Sequence, residues 1–269
     1  MFADATVAPI RHTASREWLT NRQTMSTQLD PLSLSADLLY AVTTEGGDPS
    51  GLCDHLATLE RAQLARALSD RTAKLAFWLN CYNAYVQLRL ESESESPAGS
   101  HLERWKFLTR DRVPIAGSWL SLNDIKHGLL RRSKHPWGLG YLPRLVPSSF
   151  ERQFRLPECD ARIHFALSHG AESCPPIAVY SPADVDADLD IAVEWYVEEN
   201  TEYDPDRNHV TIPRLFRRYQ GDFGGRDGIV SFLESFNAIP AGSSPTLEYG
   251  TPEQTTAVDI DGEADPLRP

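Results

Sequence analysis

The feature that most restricts what this chain can fold into is the stretch 74–90, apolar on nearly every side at helical spacing. Leu75, Phe77, Trp78, Leu79, Cys81, Tyr82, Tyr85, Val86 and Leu88 leave no wide polar face. A helix of this composition is stable only when other elements enclose it. Asp70 or Thr72 supplies its start. Its polar residues Asn80, Asn83 and Gln87 recur at spacings of three and four and so share one stripe. Buried amides must find hydrogen-bond partners. The stripe therefore faces either irregular backbone or a site.

Enclosing such a helix needs a sizeable core, which 269 residues at 41% hydrophobic and 9% aromatic composition can build. Leu34, Leu38, Leu39 and Val42, then Leu56, Leu59, Ala62, Leu64 and Leu68, predict helices over 29–70, broken at Gly47-Asp48-Pro49-Ser50. Residues 112–120 predict a β-hairpin turning near Gly117-Ser118. Ser121 is placed to cap a helix that carries Asp124 in its first turn and runs to about Arg132. Proline and glycine then make 133–157 read as irregular. Residues 162–167 alternate, with Ile163, Phe165 and Leu167 on one side and Asp160, Arg162, His164 and Ala166 on the other, which predicts a strand. An acidic helix over about 184–199, a short strand at 209–212, a helix opened by Pro213 and another at 229–236 complete the pattern.

The fold class expected is α+β: several helices, including one buried central helix, packed on a small, mostly antiparallel sheet that contains the 162–167 strand. Residues 1–28 read as a loosely ordered segment, 29–250 as a single domain and 251–269 as a disordered tail.

A formal net charge of −12 argues against binding a phosphate backbone, so no nucleic-acid partner is expected. No apolar run approaches the roughly 18 residues of a membrane span, so no membrane association is expected. The first 20 residues lack the apolar core of a secretory signal. Cysteines at 53, 81, 159 and 174 form no CxxC pair, which fits reduced thiols and a cytoplasmic location.

The densest chemistry lies in 160–176, DARIHFALSHGAESCPP. A strand presenting Asp160, Arg162 and His164 feeds a loop that presents Cys174. Gly170 allows a sharp reversal, and Pro175 restricts the backbone at Cys174. A thiol beside an imidazole is the minimum equipment for nucleophilic catalysis. In a regular strand Asp160 would stand roughly 13 Å from His164, at about 3.3 Å per residue. The group that orients the base must then come from elsewhere, and Asn80 or Asn83 is the candidate. His127, within reach of Asn123 and Asp124 on its helix, is the alternative base. Cys159, His164, His169 and Cys174 recur every five residues, a period that suits neither a strand nor a zinc loop. No metal and no cofactor is expected.

Four segments together resemble the domain of unknown function 547: FWLNCYNAY (77–85), SWLSLNDIKHGLLR (118–131), DARIHFAL with GAESCPP (160–176) and VTIPRLFRRYQGDF (210–223). The resemblance spans about 70–250. It implies that Asn80, Tyr82, Asn83, Asp124, His127, Asp160, Arg162, His164, Ser173, Cys174, Pro175, Tyr219, Asp222 and Phe223 are positions of interest. Of these, Asp160, Arg162, Asp124, Ser173 and Tyr82 are the expected binding residues. The resemblance carries no activity with it. This chain departs from the pattern at 168–170, Ser-His-Gly, where relatives often have a cysteine before the glycine, and again after Tyr249.

The functional expectation is a thiol-dependent hydrolase or acyltransferase acting on a small-molecule or peptide ligand. Cys174 would be the nucleophile, His164 or His127 the base, and Asn80 or Asn83 the orienting group. The alternative is a non-catalytic binding or scaffold domain, with a protein partner, in which the same residues form a structural polar network.

Overall fold

A computed structural model describes residues 30–92, 107–110, 112–168 and 177–250. The segment 1–28, the tail 251–269 and the positions Ser173 and Cys174 lie outside the described residues. Four helices open the chain: α1 (Pro31–Thr43), α2 (Ser50–Thr58), α3 (Arg61–Ala67) and α4 (Arg71–Ser92). Asp30 caps α1 by accepting from the Ser33 backbone N–H at 3.0 Å, and Pro31 occupies the first helical position. Asp70 does the same for α4, accepting from Ala73 N–H at 2.9 Å. Leu34, Leu38 and Leu39 seat α1 on α4. Leu75, Phe77, Trp78, Leu79, Cys81, Ala84 and Val86 are all closed off from solvent, so α4 is the enclosed helix its composition demands. The Trp78 indole N–H is satisfied by the Phe154 carbonyl at 3.1 Å.

A hairpin follows, β1 (Val113–Ile115) and β2 (Ser118–Leu120), paired antiparallel through a two-residue turn. Both turn residues, Ala116 and Gly117, have positive φ, the geometry that matches strand twist in tight hairpins. Next comes a π-helix, Asp124–Leu130, then α5 (Ser149–Phe154), which the proline- and glycine-rich reading of 133–157 does not anticipate. A 3-10 helix, Ala161–Phe165, leads towards α6 (Val185–Asn200). The C-terminal part holds β3 (Glu202–Asp204), β4 (His209–Pro213), α7 (Arg214–Arg218), α8 (Gly225–Ser235) and β5 (Thr246–Gly250). In their sheet β3 pairs antiparallel with β4, and β4 pairs parallel with β5.

The class is α+β, with two corrections. Residues 161–165 form a 3-10 helix, not a strand, and belong to neither sheet. The principal neighbours of α4 are α1, the π-helix and α6, so the central helix is enclosed chiefly by helices.

The reason for the first correction lies in the core, which divides into two clusters. One gathers around α4 and includes Ile163 and Leu167; the other gathers Val193, Val210, Ile212, Phe216, Phe223 and Ile229 and includes Phe165. The alternating apolar residues of 161–167 thus point into two different clusters. A strand would need one shared face and a partner edge. Helix α6 bridges in the same way, with Val185 and Leu189 in the first cluster and Ala192, Val193 and Val197 in the second.

Candidate functional site

The amide stripe of α4 meets irregular backbone. Asn83 donates to the Ala166 carbonyl at 3.1 Å and accepts from the Ser168 N–H at 2.9 Å. Asn80 donates to the Tyr180 carbonyl and accepts from the Tyr180 N–H, both at 2.9 Å. Each side chain imitates the pair of bonds that a neighbouring strand would make. The two are three residues apart, so they tie both sides of the 169–176 segment to points about 4.5 Å apart along one helix axis. Because both ends of each amide are engaged with backbone, neither asparagine orients a histidine. This corrects the role expected of them.

The partner of His164 is Asp222. The 3-10 helix turns His164 into the seam between the two clusters, where Nε2 meets Asp222 Oδ2 at 2.8 Å and both side chains are fully buried. The ring stacks on Tyr219, centroids 3.8 Å apart and 16° from parallel. Nδ1 is buried and has no hydrogen-bond partner among the described residues. Asp222 is also gripped by Arg131, Nε to Oδ2 at 2.6 Å and Nη2 to Oδ1 at 3.2 Å, with Lys134 3.5 Å from Oδ1. Arg131 reaches His127 as well, Nη1 to Nδ1 at 2.6 Å, and lies over the Tyr219 ring at 4.6 Å. The turn that presents Asp222 admits no bulk. A Cβ on Gly140 would come within 2.8 Å of Asp222 Oδ1, and one on Gly221 within 2.6 Å of the Gly140 backbone.

Burial pushes the His164 imidazole down to about 4; Asp222 offsets part of that, and the cations of Arg131 and Lys126 add to it. Burial opposes the charge on Asp222, yet His164 and Arg131 together hold it well below the ordinary carboxylate range. Near neutral pH the pair is a neutral imidazole facing a carboxylate. An ionised carboxylate only accepts, so the imidazole hydrogen sits on Nε2 and the lone pair on Nδ1.

The remaining residues read from the sequence divide between other tasks. Asp160 caps the 3-10 helix by accepting from Arg162 N–H at 3.0 Å, and its carboxylate pairs with Arg162 and Arg71. Arg162 continues to Asp186 at 2.6 Å and Asp190 at 2.7 Å, making an ion-pair network that reaches solvent and does not include His164. Asp124 and Ser121 form a reciprocal cap, Ser121 Oγ donating to Asp124 Oδ2 at 2.7 Å and accepting from Asp124 N–H at 3.0 Å. Asp124 also pairs with Arg144 at 3.0 Å. Tyr82 is buried in α4.

Arg131 escaped the sequence reading, although it stands four residues after His127, the spacing that places side chains together on a helix. Asp222 and Tyr219 entered only through the family resemblance and without a role. Burial raises the Cys53 thiol, raises Cys159 to about 12 and holds Cys81 well above the ordinary thiol range, so none of these three supplies a thiolate near neutral pH.

Residues 65–197, which carry α4, the hairpin, the π-helix and the 3-10 helix, match the family described as "Protein of unknown function, DUF547". The chain carries a DUF547 domain. Within it lie Asn80, Asn83, His127, Arg131 and His164, the amide clamps and three members of the buried polar cluster. No curated protein and no solved structure matches the chain. No helix among the described residues is long and apolar enough to cross a membrane. The DUF547 description names no activity.

Proposed function

We propose that this chain is a thiol-dependent hydrolase or acyltransferase, with Cys174 as nucleophile, His164 as general base and Asp222 as the group that orients it. The observation that carries the reading is the buried, neutral His164, held through Nε2 by a carboxylate while Nδ1 keeps its lone pair. In the reaction Nδ1 takes the thiol proton, and the thiolate attacks the carbonyl carbon of an acyl substrate. The tetrahedral intermediate then collapses, with the imidazolium returning its proton to the leaving group. Water or a second acceptor, deprotonated by the same nitrogen, releases the acyl group and restores the thiol. Arg131 already balances the Asp222 charge, so Asp222 acts on the tautomer and aim of the ring more than on the imidazolium charge. The amide clamps support the reading because they fix both sides of the segment that contains Cys174 in the sequence. The expected substrate is a small molecule or a peptide, met in the cytoplasm.

The second reading, a non-catalytic binding or scaffold domain with a protein partner, is favoured by the complete burial of His164 against Tyr219. Alkylation separates the two. The native protein is treated with iodoacetamide across pH, and modification at Cys174 is read by mass spectrometry. The enzyme reading expects a thiolate that titrates well below about 8.5, and loses that shift in His164→Phe. A Cys174 that stays unreactive, or titrates as an ordinary thiol, sinks it.

A further inference from the structure

Five large apolar side chains stand exposed on one loop. Trp137, Tyr141 and Leu142 are each more than half exposed, and Leu145 and Val146 reach 93% and 88%. Such residues scattered singly are ordinary, but a group of them marks a contact surface. The loop that carries them is pinned. Lys134 and Pro143 form an antiparallel bridge, His135 N–H donates to the Leu142 carbonyl at 2.8 Å, and Arg144 N–H donates to the Ser133 carbonyl at 2.6 Å. The Leu139 carbonyl accepts from Gly221 N–H at 2.7 Å, which fastens the loop to the turn that presents Asp222. Arg132, Ser133 and Leu139 hold positive φ, a conformation that non-glycine residues keep only where the surroundings impose it. Beyond the bridge, Leu145 and Val146 lie between Pro143 and Pro147, and Arg152 holds the Pro147 carbonyl at 2.6 Å.

The charge of this stretch is opposite to that of the chain. Residues 132–155 carry Arg132, Lys134, Arg144, Arg152 and Arg155 against a single carboxylate, Glu151, in a chain of net charge −12. Glu151 is buried and paired with Arg144, so the stretch turns apolar groups and cations to solvent and no carboxylate of its own. Two aliphatic side chains this far out form a tip. They offer no groove to a docking helix and no edge to an added strand. Aliphatic residues at a tip, with a tryptophan, a tyrosine and arginines on the same stretch, match the boundary of an anionic lipid layer. There apolar groups enter the headgroup region, the amphipathic rings lie level with it and the cations meet phosphates.

We infer that the 137–146 loop docks on an anionic membrane surface, with Leu145 and Val146 entering the headgroup layer and Arg132 and Arg152 meeting lipid phosphates. The sequence expectation of no membrane association rests on the lack of a spanning segment, and a surface contact needs none. Cys174 takes no part in this contact, so it stands or falls apart from the thiol reading.

Sedimentation of the full chain with vesicles tests it, using phosphatidylcholine alone and phosphatidylcholine mixed with phosphatidylglycerol in equal parts. The chain is expected to sediment with the mixed vesicles and not with the neutral ones, less so as salt rises. Its tryptophan emission is expected to shift to the blue, and to lose that shift in Trp137→Phe. Leu145→Asp with Val146→Asp should abolish sedimentation, and Arg132→Glu, at an exposed position, should weaken it roughly tenfold. A chain that stays in solution with the mixed vesicles overturns the membrane contact and leaves the loop to a protein partner. Sedimentation undiminished in both variants also overturns it. A light-scattering mass of two chains that falls to one in the Leu145→Asp, Val146→Asp variant assigns the loop to a second copy and overturns it too.

Discussion

Among the described residues, two of the buried polar groups, the amides of Asn80 and Asn83 and the cluster of Arg131, Asp222 and His164, differ in what they leave over. The asparagines engage both ends of each amide with backbone that has no ladder of its own. They are neutral, complete, and act as stitches between α4 and the chain on either side of 169–176. The cluster is ionised and sits where the two hydrophobic clusters meet, and one of its nitrogens, His164 Nδ1, has no partner among the described residues. A group needed only for stability is expected to satisfy every atom it buries, because each unsatisfied one costs free energy. The unspent nitrogen is what separates the second group from the first.

The widest separation between the two groups should come from removing the central carboxylate. Asp222→Ala leaves the Arg131 charge buried without compensation and should cost about 3–5 kcal/mol in urea unfolding. A loss below about 1 kcal/mol would erase the contrast. Next in size is a pH effect confined to the ionised group. The folded pKa of His164, about 4, lies below its ordinary value of 6.5, so the folded chain binds fewer protons than the unfolded chain between those values. The contribution is complete above about pH 6.5 and is lost as pH falls towards 4, amounting to about 3 kcal/mol. Unfolding free energies measured at both ends of that window should differ by this amount, and His164→Phe should flatten the difference. The smallest change belongs to the amides. Asn83→Ala leaves the Ala166 carbonyl and the Ser168 N–H without their partner and should cost about 2 kcal/mol. Over the same pH window its cost should stay constant; a cost that varies with pH would join the two groups into one network.

Much of this arrangement was legible one element at a time. The all-round apolar helix, the hairpin, the Ser121–Asp124 cap and the helices on either side of β4 follow from periodicity and end signals that act over a few residues. The amide stripe was legible as a question, and backbone was one of its two answers. The 161–167 stretch misled because alternation was taken to mean one buried face. Here Ile163 and Leu167 enter one cluster and Phe165 the other, so the same pattern arises from a turn threaded between two cores. The pairing of His164 with Asp222 joins residues 58 positions apart. No local spacing records such a contact, whereas that of Arg131 with His127, four residues earlier, lies within the helix rule.

The carboxylate that aims His164 stands at position 222, beyond residue 197 where the family match ends. A gene fragment trimmed to that match would inherit the imidazole, His127 and Arg131, but not the acid that joins them. It would also forfeit the Tyr219 ring on which His164 rests and the second cluster into which α6 and Phe165 pack. The smallest piece of this protein that could be transplanted, duplicated or expressed with His164 still held therefore runs through Asp222 and on to β5, and the boundary drawn by family likeness falls inside the packed unit.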